Sequence, residues 1–336
     1  MSHLVGVGYD TLYIWNWRNL KAEPQIVRFD NSWVPLDFRN DPIIKKPSNY
    51  KYSLIGTDLL AHAIHQRDDM HIVVRAIDSE KEFNRWPLSR RWDCWQLRNT
   101  QNAQHVAVHL RENFDFVLAD RNRKDEGRHR LGILSEGDSE IRWVSVVYMH
   151  SGIIPNISSI AVSEDGRYLA AVGTDSGGFI HVADVTAKKV LWQKVPHGAE
   201  VPHGEWTVNF NDVCFSPDSK HIYVAGNFGL FCFETETGKI LSQWQIDGRL
   251  VSVAMTPDAR LVAGGTEISG FVYIWDAETG NLLMRITTDQ GTHYRLAFSP
   301  DSTLLATSGT RGDVIKFWKM PASDWKPKSV TTDPSK

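Results

Sequence analysis

The sequence predicts an all-β protein built from repeated antiparallel units, and three observations predict it. The chain of 336 residues contains 13 Trp, 9 Tyr and 14 Phe, and aromatic residues favour half-buried pleated strands. Its 24 Gly and 14 Pro supply frequent turns between such strands. The third observation is internal self-similarity with a period of about 40 residues, which indicates an array of supersecondary units.

Each unit opens with a short apolar strand that runs into a turn of the Ser/Thr-Pro-Asp type. Proline suits the second position of such a turn because its φ angle is already fixed there. Four of these segments align, at residues 160–166, 213–219, 253–259 and 296–302. We therefore expect a hairpin at each of them.

A second apolar run, several glycines and a third apolar run follow each turn. The third runs cover residues 179–182, 230–233, 271–275 and 314–318. An acidic residue follows in three of them: Asp184 after Ala183, Glu234 after Phe233 and Asp276 after Trp275. A Thr-Gly turn and a fourth run come next, so each unit is predicted to form four antiparallel strands.

These units resemble the Trp-Asp repeat (WD-repeat) family of β-propellers, in which each unit forms one four-stranded blade. The Phe-Ser-Pro-Asp turns at 215–218 and 298–301 carry the resemblance, together with Ile274-Trp275-Asp276 and its Thr-Gly turn. The resemblance covers about residues 157–320. It implies a propeller that presents loops to partner proteins.

Three further endings of third strands precede residue 157, namely Ile14-Trp15-Asn16, Ala76-Ile77-Asp78 and Leu118-Ala119-Asp120. With the later ones they give seven endings, at positions 15, 77, 119, 183, 233, 275 and 318. The sequence thus predicts a seven-bladed β-propeller of four-stranded antiparallel blades.

The propeller is predicted to fill residues 1–322 as a single domain, followed by a disordered tail at 323–336. Two spacings between endings, 62 and 64 residues, are longer than the others, and we assign the excess to inserted loops at 37–50 and 138–156. The last unit supplies only three strands, so the ring is predicted to close by sharing strands between the termini. Residues 4–9 are then either an outer strand of the last blade or part of the first.

One feature of the family is missing in its usual form. The Gly-His pair before the first strand, which is coupled to an Asp of the hairpin turn and to the Trp of the third strand, occurs in no unit. His293 and Asp313 come nearest, but His293 lies only five residues before Phe298. The departure concerns the hydrogen-bonded tetrad of the family and not the propeller.

Charge and cysteine usage limit the classes of function and location. With 37 basic and 40 acidic residues the net charge is −3, which argues against dedicated nucleic-acid binding. No apolar run approaches the roughly 18 residues that a membrane span needs, and no secretory leader is visible in residues 1–10. The three cysteines, Cys94, Cys214 and Cys232, suit reduced thiols, so we expect a cytoplasmic protein.

No catalytic residue, metal or cofactor is predicted. His62 and His65 point to opposite faces of a strand, and His105 and His109 lie about 13 Å apart along one strand, too far for a shared ion. The alternative is a propeller enzyme of the hydrolase or lactonase type with a site at the central channel. Such a site requires clustered acids or histidines on the first strands, which here are mainly apolar or small.

Two stretches predict a partner-binding surface on the face of the propeller that carries the connections between blades. Residues 84–95 combine Trp with Arg, the residues most enriched at interface hot spots. Residues 195–206 contain a duplicated Val-Pro-His-Gly, which indicates a shaped loop. The predicted binding residues are Trp33, Arg90, Arg91, Trp92, His197, His203 and Trp206.

Each prediction of binding has an alternative. Trp92 and Trp95 lie on opposite faces of a strand and could pack between blades, and the second stretch could be a simple insertion. A third class of function, recognition of phosphorylated motifs or nucleic acid, would rest on Arg85, Arg90 and Arg91. The favoured reading is a non-enzymatic scaffold that binds a protein or peptide, with neither nucleic acid nor membrane as partner.

Overall fold

In a computed structural model of the protein, the described part of the chain consists of strands and the turns between them. The described residues are 3–7, 11–16, 19, 21, 25–28, 52–55, 59–66, 69–76, 81–89, 92–112, 129–146, 156–174, 178–194, 209–246, 248–310 and 315–321. None of these residues belongs to a helix, and so none belongs to a helix that could span a membrane. The predicted all-β class is confirmed.

Seven antiparallel sheets follow one another in the described part of the chain, and we number them I to VII. Sheet I contains β1 (His3–Val7), β2 (Thr11–Asn16) and β3 (Gln25–Arg28). Sheet II contains β4 (Tyr52–Ile55), β5 (Leu59–Gln66), β6 (Asp69–Ala76) and β7 (Glu82–Leu88). Sheet III contains β8 (Trp92–Asn99), β9 (His105–Glu112), β10 (His129–Ser135) and β11 (Arg142–Val146).

The second half of the chain repeats this plan. Sheet IV contains β12 (Ile157–Val162), β13 (Tyr168–Gly173), β14 (Phe179–Asp184) and β15 (Lys189–Lys194). Sheet V contains β16 (Phe210–Phe215), β17 (His221–Gly226), β18 (Gly229–Glu234) and β19 (Ile240–Trp244). Sheet VI contains β20 (Leu250–Met255), β21 (Leu261–Thr266), β22 (Phe271–Asp276) and β23 (Leu282–Thr287). Sheet VII contains β24 (His293–Phe298), β25 (Leu304–Gly309) and β26 (Lys316–Lys319).

The strands of each sheet pair in chain order, which fixes where the turns lie. In sheets II to VI, the turn between the first two strands and the turn between the last two share one end, which we call the bottom end. The connection to the next sheet begins at the other end, the top end. The Ser-Pro-Asp and Thr-Gly turns therefore lie at the bottom end, as predicted, and the chain between β7 and β8, which includes Arg90, joins two top ends.

The N-terminal residues belong to the first sheet. β1 pairs with β2 along its whole length, from His3 opposite Asn16 to Val7 opposite Leu12, and β2 pairs with β3. Of the two alternatives for residues 4–9, this pairing supports membership of the first blade. Sheet VII has three described strands, and strand sharing between the termini is not seen in the described part of the chain.

The third predicted strand ending, Leu118-Ala119-Asp120, is wrong. The third strand of sheet III is β10, which pairs with β9 and ends at Ser135, whereas residues 118–120 lie outside the described part of the chain. The predicted inserted loop at 138–156 is also wrong in part, because β11 lies within it. Both errors have one cause: Leu118-Ala119-Asp120 and the true ending Leu134-Ser135-Glu136 share the same local pattern, and only the pairing of β10 with β9 distinguishes them. The predicted loop at 37–50 and the predicted tail at 323–336 lie outside the described residues.

Buried apolar side chains fill the spaces between successive sheets. Five clusters join the neighbours from II to VII, each with residues of both sheets. Trp275 of β22 lies between sheets V and VI, only 2% exposed, with its ring 5.9 Å from that of Trp244 and 5.7 Å from that of Tyr273. The first strands of neighbouring sheets also contact each other, so β4, β8, β12, β16, β20 and β24 form the inner row of the described part of the molecule.

Candidate functional site

The structure describes one of the seven predicted binding residues. Trp92 is the first residue of β8, at the top end of sheet III. The other six, Trp33, Arg90, Arg91, His197, His203 and Trp206, lie outside the described residues. Trp92 and its neighbours therefore represent the predicted surface within the described residues.

Trp92 contacts an arginine that sequence reasoning missed. The guanidinium of Arg130, on β10, lies 5.5 Å from the centre of the Trp92 ring and 4.8 Å from that of Trp143, on β11. Gly132 makes room for Trp143, because a Cβ at that position would lie 2.7 Å from the indole. Trp92 also packs against the apolar cluster between sheets II and III, so the packing alternative holds for part of its surface.

The opposite face of sheet III carries a second pair of the same kind. The guanidinium of Arg111, on β9, lies 5.0 Å from the centre of the Trp95 ring. A β-bulge between Cys94 and Gln96 interrupts the register at Trp95, and the side chain is left 38% exposed. Trp95 is therefore not buried between sheets, as the packing alternative required.

The arginines differ in how their charge is neutralised. Arg85 forms two 2.7 Å hydrogen bonds to the Glu82 carboxylate, an arrangement that lowers the pKa of Glu82. Arg85 is thus already paired and is a poor candidate for binding phosphate. Arg111 and Arg130 have no carboxylate partner in the described part of the chain.

Trp86 lies in the stretch predicted to bind a partner, but it makes a contact within the protein. Its indole N–H donates to the carbonyl oxygen of Ser139 at 2.9 Å, and the nearby Asn84 amide donates to that of Asp138 at 3.0 Å. Both acceptors lie in the bottom turn of sheet III. Trp86 therefore fastens sheet II to its neighbour.

Tryptophans of other outer strands make the same kind of contact. The Trp192 indole N–H donates to the carbonyl oxygen of Thr235 at 2.7 Å. A Cβ at Gly238 would lie 2.6 Å from the Trp192 ring, and one at Gly280 would lie 2.4 Å from Trp244 Nε1. Glycine in the Thr-Gly turn thus allows the preceding sheet to pack against it.

A buried polar cluster joins four of the inner strands, and we call it the inner cluster: Arg98, Ser159, Asp212 and the backbone of Val253. Arg98 donates to the Ser159 hydroxyl and to the Asp212 carboxylate, in the latter case through two nitrogens. The Ser159 hydroxyl donates to Asp212 Oδ1 at 2.6 Å, and the Val253 N–H donates to Oδ2 at 2.9 Å. These bonds connect sheets III, IV, V and VI.

The Asp212 carboxylate is 2% exposed, and its charge is held by its neighbours. Burial alone would raise the pKa of this carboxyl, but the Arg98 guanidinium, the charge of Arg295 and the Ser159 hydroxyl together outweigh burial and hold the pKa below its ordinary value of 3.8. An ionised carboxylate with both oxygens engaged is a weak base and has no proton to give. Sequence reasoning overlooked this pair because the strands around it are apolar.

A hydrogen-bonded triad in sheet VII replaces the family tetrad in part. The Trp318 indole N–H donates to the Thr307 hydroxyl at 3.0 Å, which donates to Gln290 Oε1 at 2.6 Å. Gln290 precedes Gly291, just before β24. It therefore takes the position for which His293 was the nearest candidate, and His293 instead begins β24.

Two histidines considered as metal ligands have other partners. His105 Nδ1 lies 2.7 Å from the Ser135 hydroxyl. His109 is fully buried, with Nε2 2.8 Å from Nδ1 of His129 on the next strand, and burial followed by His129 and Arg111 lowers the pKa of His109 well below its usual range. No group of three metal-ligating side chains occurs among the residues described.

Comparison with known proteins identifies the class of the repeat. The family described as "WD domain, G-beta repeat" matches residues 285–319, which include all of sheet VII. The chain is therefore similar to a WD repeat over sheet VII, and the seven described antiparallel sheets agree with a seven-bladed β-propeller built from such units.

Three curated relatives illustrate what the chain is similar to. It is 25% identical over 186 residues to the mouse "Target of rapamycin complex subunit LST8", which covers 52% of each chain. It is 25% identical over 193 residues to the Drosophila melanogaster "Protein LST8 homolog", covering 54% of this chain and 57% of that one. It is 23% identical over 158 residues to the Synechocystis "Uncharacterized WD repeat-containing protein sll1491", covering 47% and 42%. The chain spans about half the length of the curated relatives it matches.

Proposed function

We propose that the protein is a non-enzymatic scaffold that binds a protein or peptide through the top ends of its propeller blades. The observation that carries this proposal is the inner cluster. It ties four sheets together, so the loops at their top ends are attached to a frame that loses little freedom on binding.

The state of Asp212 also argues against the alternative of a propeller enzyme. A hydrolase or lactonase site at the channel would need a carboxylate free to act as base, nucleophile or metal ligand. Asp212 instead has its oxygens occupied by Arg98, Ser159 and the Val253 N–H. In addition, Gln101 of sheet III donates to the carbonyl oxygen of Met255 in sheet VI. Side chains of sheet III thus reach across the inner row.

The names of the relatives support a role in an assembly. The mouse relative is named as a subunit of a target of rapamycin complex. By similarity we propose that this chain is likewise a subunit of a protein complex, with protein rather than nucleic acid or membrane as its partner. Its three cysteines are free, which supports a cytoplasmic location.

The partner-binding residues are proposed to be those of the top-end loops and of the strand that begins at Trp92. They are Trp33, Arg90, Arg91, Trp92, His197, His203 and Trp206. What supports the set is the described neighbourhood of Trp92, where Arg130 and Trp143 continue the aromatic and basic surface.

The test is affinity purification from native cells with quantitative mass spectrometry. The R90A/R91A/W92A variant should lose most of the partner recovered with the wild type. Its free energy of unfolding should stay within about 1–2 kcal/mol of the wild-type value. The matched control is K189A/K220A/K239A, which removes three exposed bottom-end lysines and should keep the partner. A folded triple variant that keeps its partner would move the interface to the loop of His197, His203 and Trp206. A wild-type chain that recovers no protein would refute the scaffold.

A further inference from the structure

We propose that the top end of sheet III recognises an acidic segment of a partner protein through Arg111 and Arg130, each held on a tryptophan platform. The inference rests on the proposed function and makes it more specific, because it names the chemistry of the partner. Neither arginine was among the binding residues predicted from the sequence.

The two platforms lie on opposite faces of one sheet, close to the same end. Arg130 stacks between Trp92 and Trp143 on the face toward sheet II, at 5.5 and 4.8 Å from the ring centres. Arg111 stacks on Trp95 on the other face, at 5.0 Å. A guanidinium stacked on an indole keeps its N–H edge available for a carboxylate in the same plane. A segment that crosses the top of sheet III could therefore meet both charges.

Arg167 is a stacked arginine that, unlike Arg111 and Arg130, has carboxylate partners. Arg167 lies 4.6 Å from the Tyr168 ring centre and also bonds to Asp184 at 2.9 Å, with Glu236 at 3.7 Å. Its charge is thus met by two carboxylates of the protein itself. Arg111 and Arg130 have none in the part of the chain described here, which leaves their donors for a partner.

Two carboxylates also lie at this end of sheet III. Asp93 is opposite Arg111 and Glu112 is opposite Trp92, but within the described residues neither forms an ion pair with Arg111 or Arg130. Electrostatic complementarity to the two guanidinium groups favours acidic groups on the occupant, while the 38% exposed Trp95 ring favours an apolar residue beside them. The competing occupant is internal: residues 113–128 contain Asp115, Asp120, Asp125 and Glu126.

The experiment pans a random library of twelve-residue displayed peptides on the folded full-length protein. Peptides selected by the wild type should be enriched in Asp and Glu next to aromatic or aliphatic residues. Binding of a selected synthetic peptide should weaken about tenfold or more in R111Q/R130Q, the scale expected for loss of arginine hot spots. The matched control is R285Q, because Arg285 stacks on Phe271 at 4.6 Å in sheet VI, and its peptide affinity should be unchanged.

Several results would overturn the proposal. They are selected peptides without acidic enrichment, no selected peptide at all, or equal affinity in R111Q/R130Q and the wild type. A D115N/D120N/D125N/E126Q variant that binds the peptide much more tightly than the wild type would identify the internal segment as the occupant, and would also overturn it. If R111Q/R130Q melts well below the wild type, peptide affinity is measured for the single variant R111Q instead, because Arg111 is exposed. Its affinity should also fall.

The same variants separate this inference from the proposed function. Native partner recovered equally by R111Q/R130Q and the wild type would refute acidic recognition and leave the scaffold function standing. Loss of the partner in R111Q/R130Q but not in R285Q would support both. Absence of any partner on the wild type would refute the scaffold itself.

Discussion

At the scale of single residues, Asp212 shows how one buried charge can organise several strands. Its oxygens accept bonds from Arg98, Ser159 and the Val253 N–H, each on a different sheet. Removing one member of a buried pair leaves the other without compensation, which costs more than the pair contributes.

We expect Asp212→Asn to lower the free energy of unfolding by about 3 kcal/mol, because it leaves the Arg98 guanidinium without its counter-charge. Urea unfolding measures this change. The matched control is Glu267→Gln, which breaks an ion pair to Arg249 of 3.2 Å between half-exposed side chains and should cost less than about 1 kcal/mol. Equal losses in the two variants would contradict the role of the inner cluster.

The same variant predicts a dependence on pH. The folded-state pKa of Asp212 lies below its ordinary value of 3.8, so its contribution to stability is complete above that value and declines as pH falls through the folded pKa. The stability gap between wild type and Asp212→Asn should therefore be largest near neutral pH and shrink in acid. A gap that widens on acidification would show that the sign is wrong.

Trp275 gives the corresponding expectation for an apolar side chain. It is 2% exposed between sheets V and VI, so Trp275→Ala should cost about 3–5 kcal/mol, as for other large aromatic truncations in cores. Leu282→Ala is the control, since Leu282 is 49% exposed, and it should change stability by about 0.5 kcal/mol or less. Thermal or urea unfolding that ranked the two variants equally would contradict the packing described.

At the scale of elements, the sequence was informative where turns carry their own chemistry. The Ser-Pro-Asp turns of sheets V and VII were predicted, and in them the serine hydroxyls of Ser216 and Ser299 donate to Asp218 and Asp301 at 2.6 Å. A turn stabilised by its own side chains can be predicted from local sequence. Sheet III was placed wrongly because Leu118-Ala119-Asp120 has the same local pattern as the true ending Leu134-Ser135-Glu136, and only pairing with β9 distinguishes them.

The candidate site was harder to predict from the sequence than the fold, for a physical reason. Trp92 was predicted from the Trp and Arg content of the stretch around it. Arg111 and Arg130 lie 19 and 38 positions further along the chain, and only strand pairing brings them beside tryptophans. Likewise, Arg98 of sheet III reaches past sheet IV to Asp212 of sheet V. Contacts between distant strands depend on register, which no local motif specifies.

A substitution in the triad of sheet VII tests whether Gln290 replaces the histidine of the family pattern. Thr307→Val keeps the shape of the side chain but leaves the Trp318 N–H and the Gln290 oxygen without their partner. We expect a loss of about 1–3 kcal/mol, the cost of buried polar groups left unbonded. Thr287→Val, at an exposed position of β23, should change stability far less, and equal effects in denaturant unfolding would refute the triad.

At the scale of the whole molecule, successive sheets support one another. Each of the clusters between sheets II and VII needs residues from two neighbours, and the inner cluster extends the coupling to sheets further apart. Sheet I depends on its N-terminal hairpin, because β1 and β2 supply two of its three described strands.

Deleting residues 1–16 should therefore destabilise the whole propeller and not only its first sheet. We expect a single melting transition at a lower temperature, measured by circular dichroism and by tryptophan fluorescence. Coincidence of the two signals would show that the loss spreads beyond sheet I. A truncated protein that melts like the full chain would refute the dependence of the ring on its N-terminus.

The central claim is that a rigid propeller meets its partner at the top end, and hydrogen exchange of the complex tests it most directly. Amide exchange is compared between the free protein and the complex purified from native cells. The account predicts slower exchange in the complex at the top end of sheet III, in the peptides that contain Trp92, Arg111 and Arg130, and no change in the bottom turns at 163–167 and 216–220. Protection confined to the bottom turns, with the top end unchanged, would contradict it.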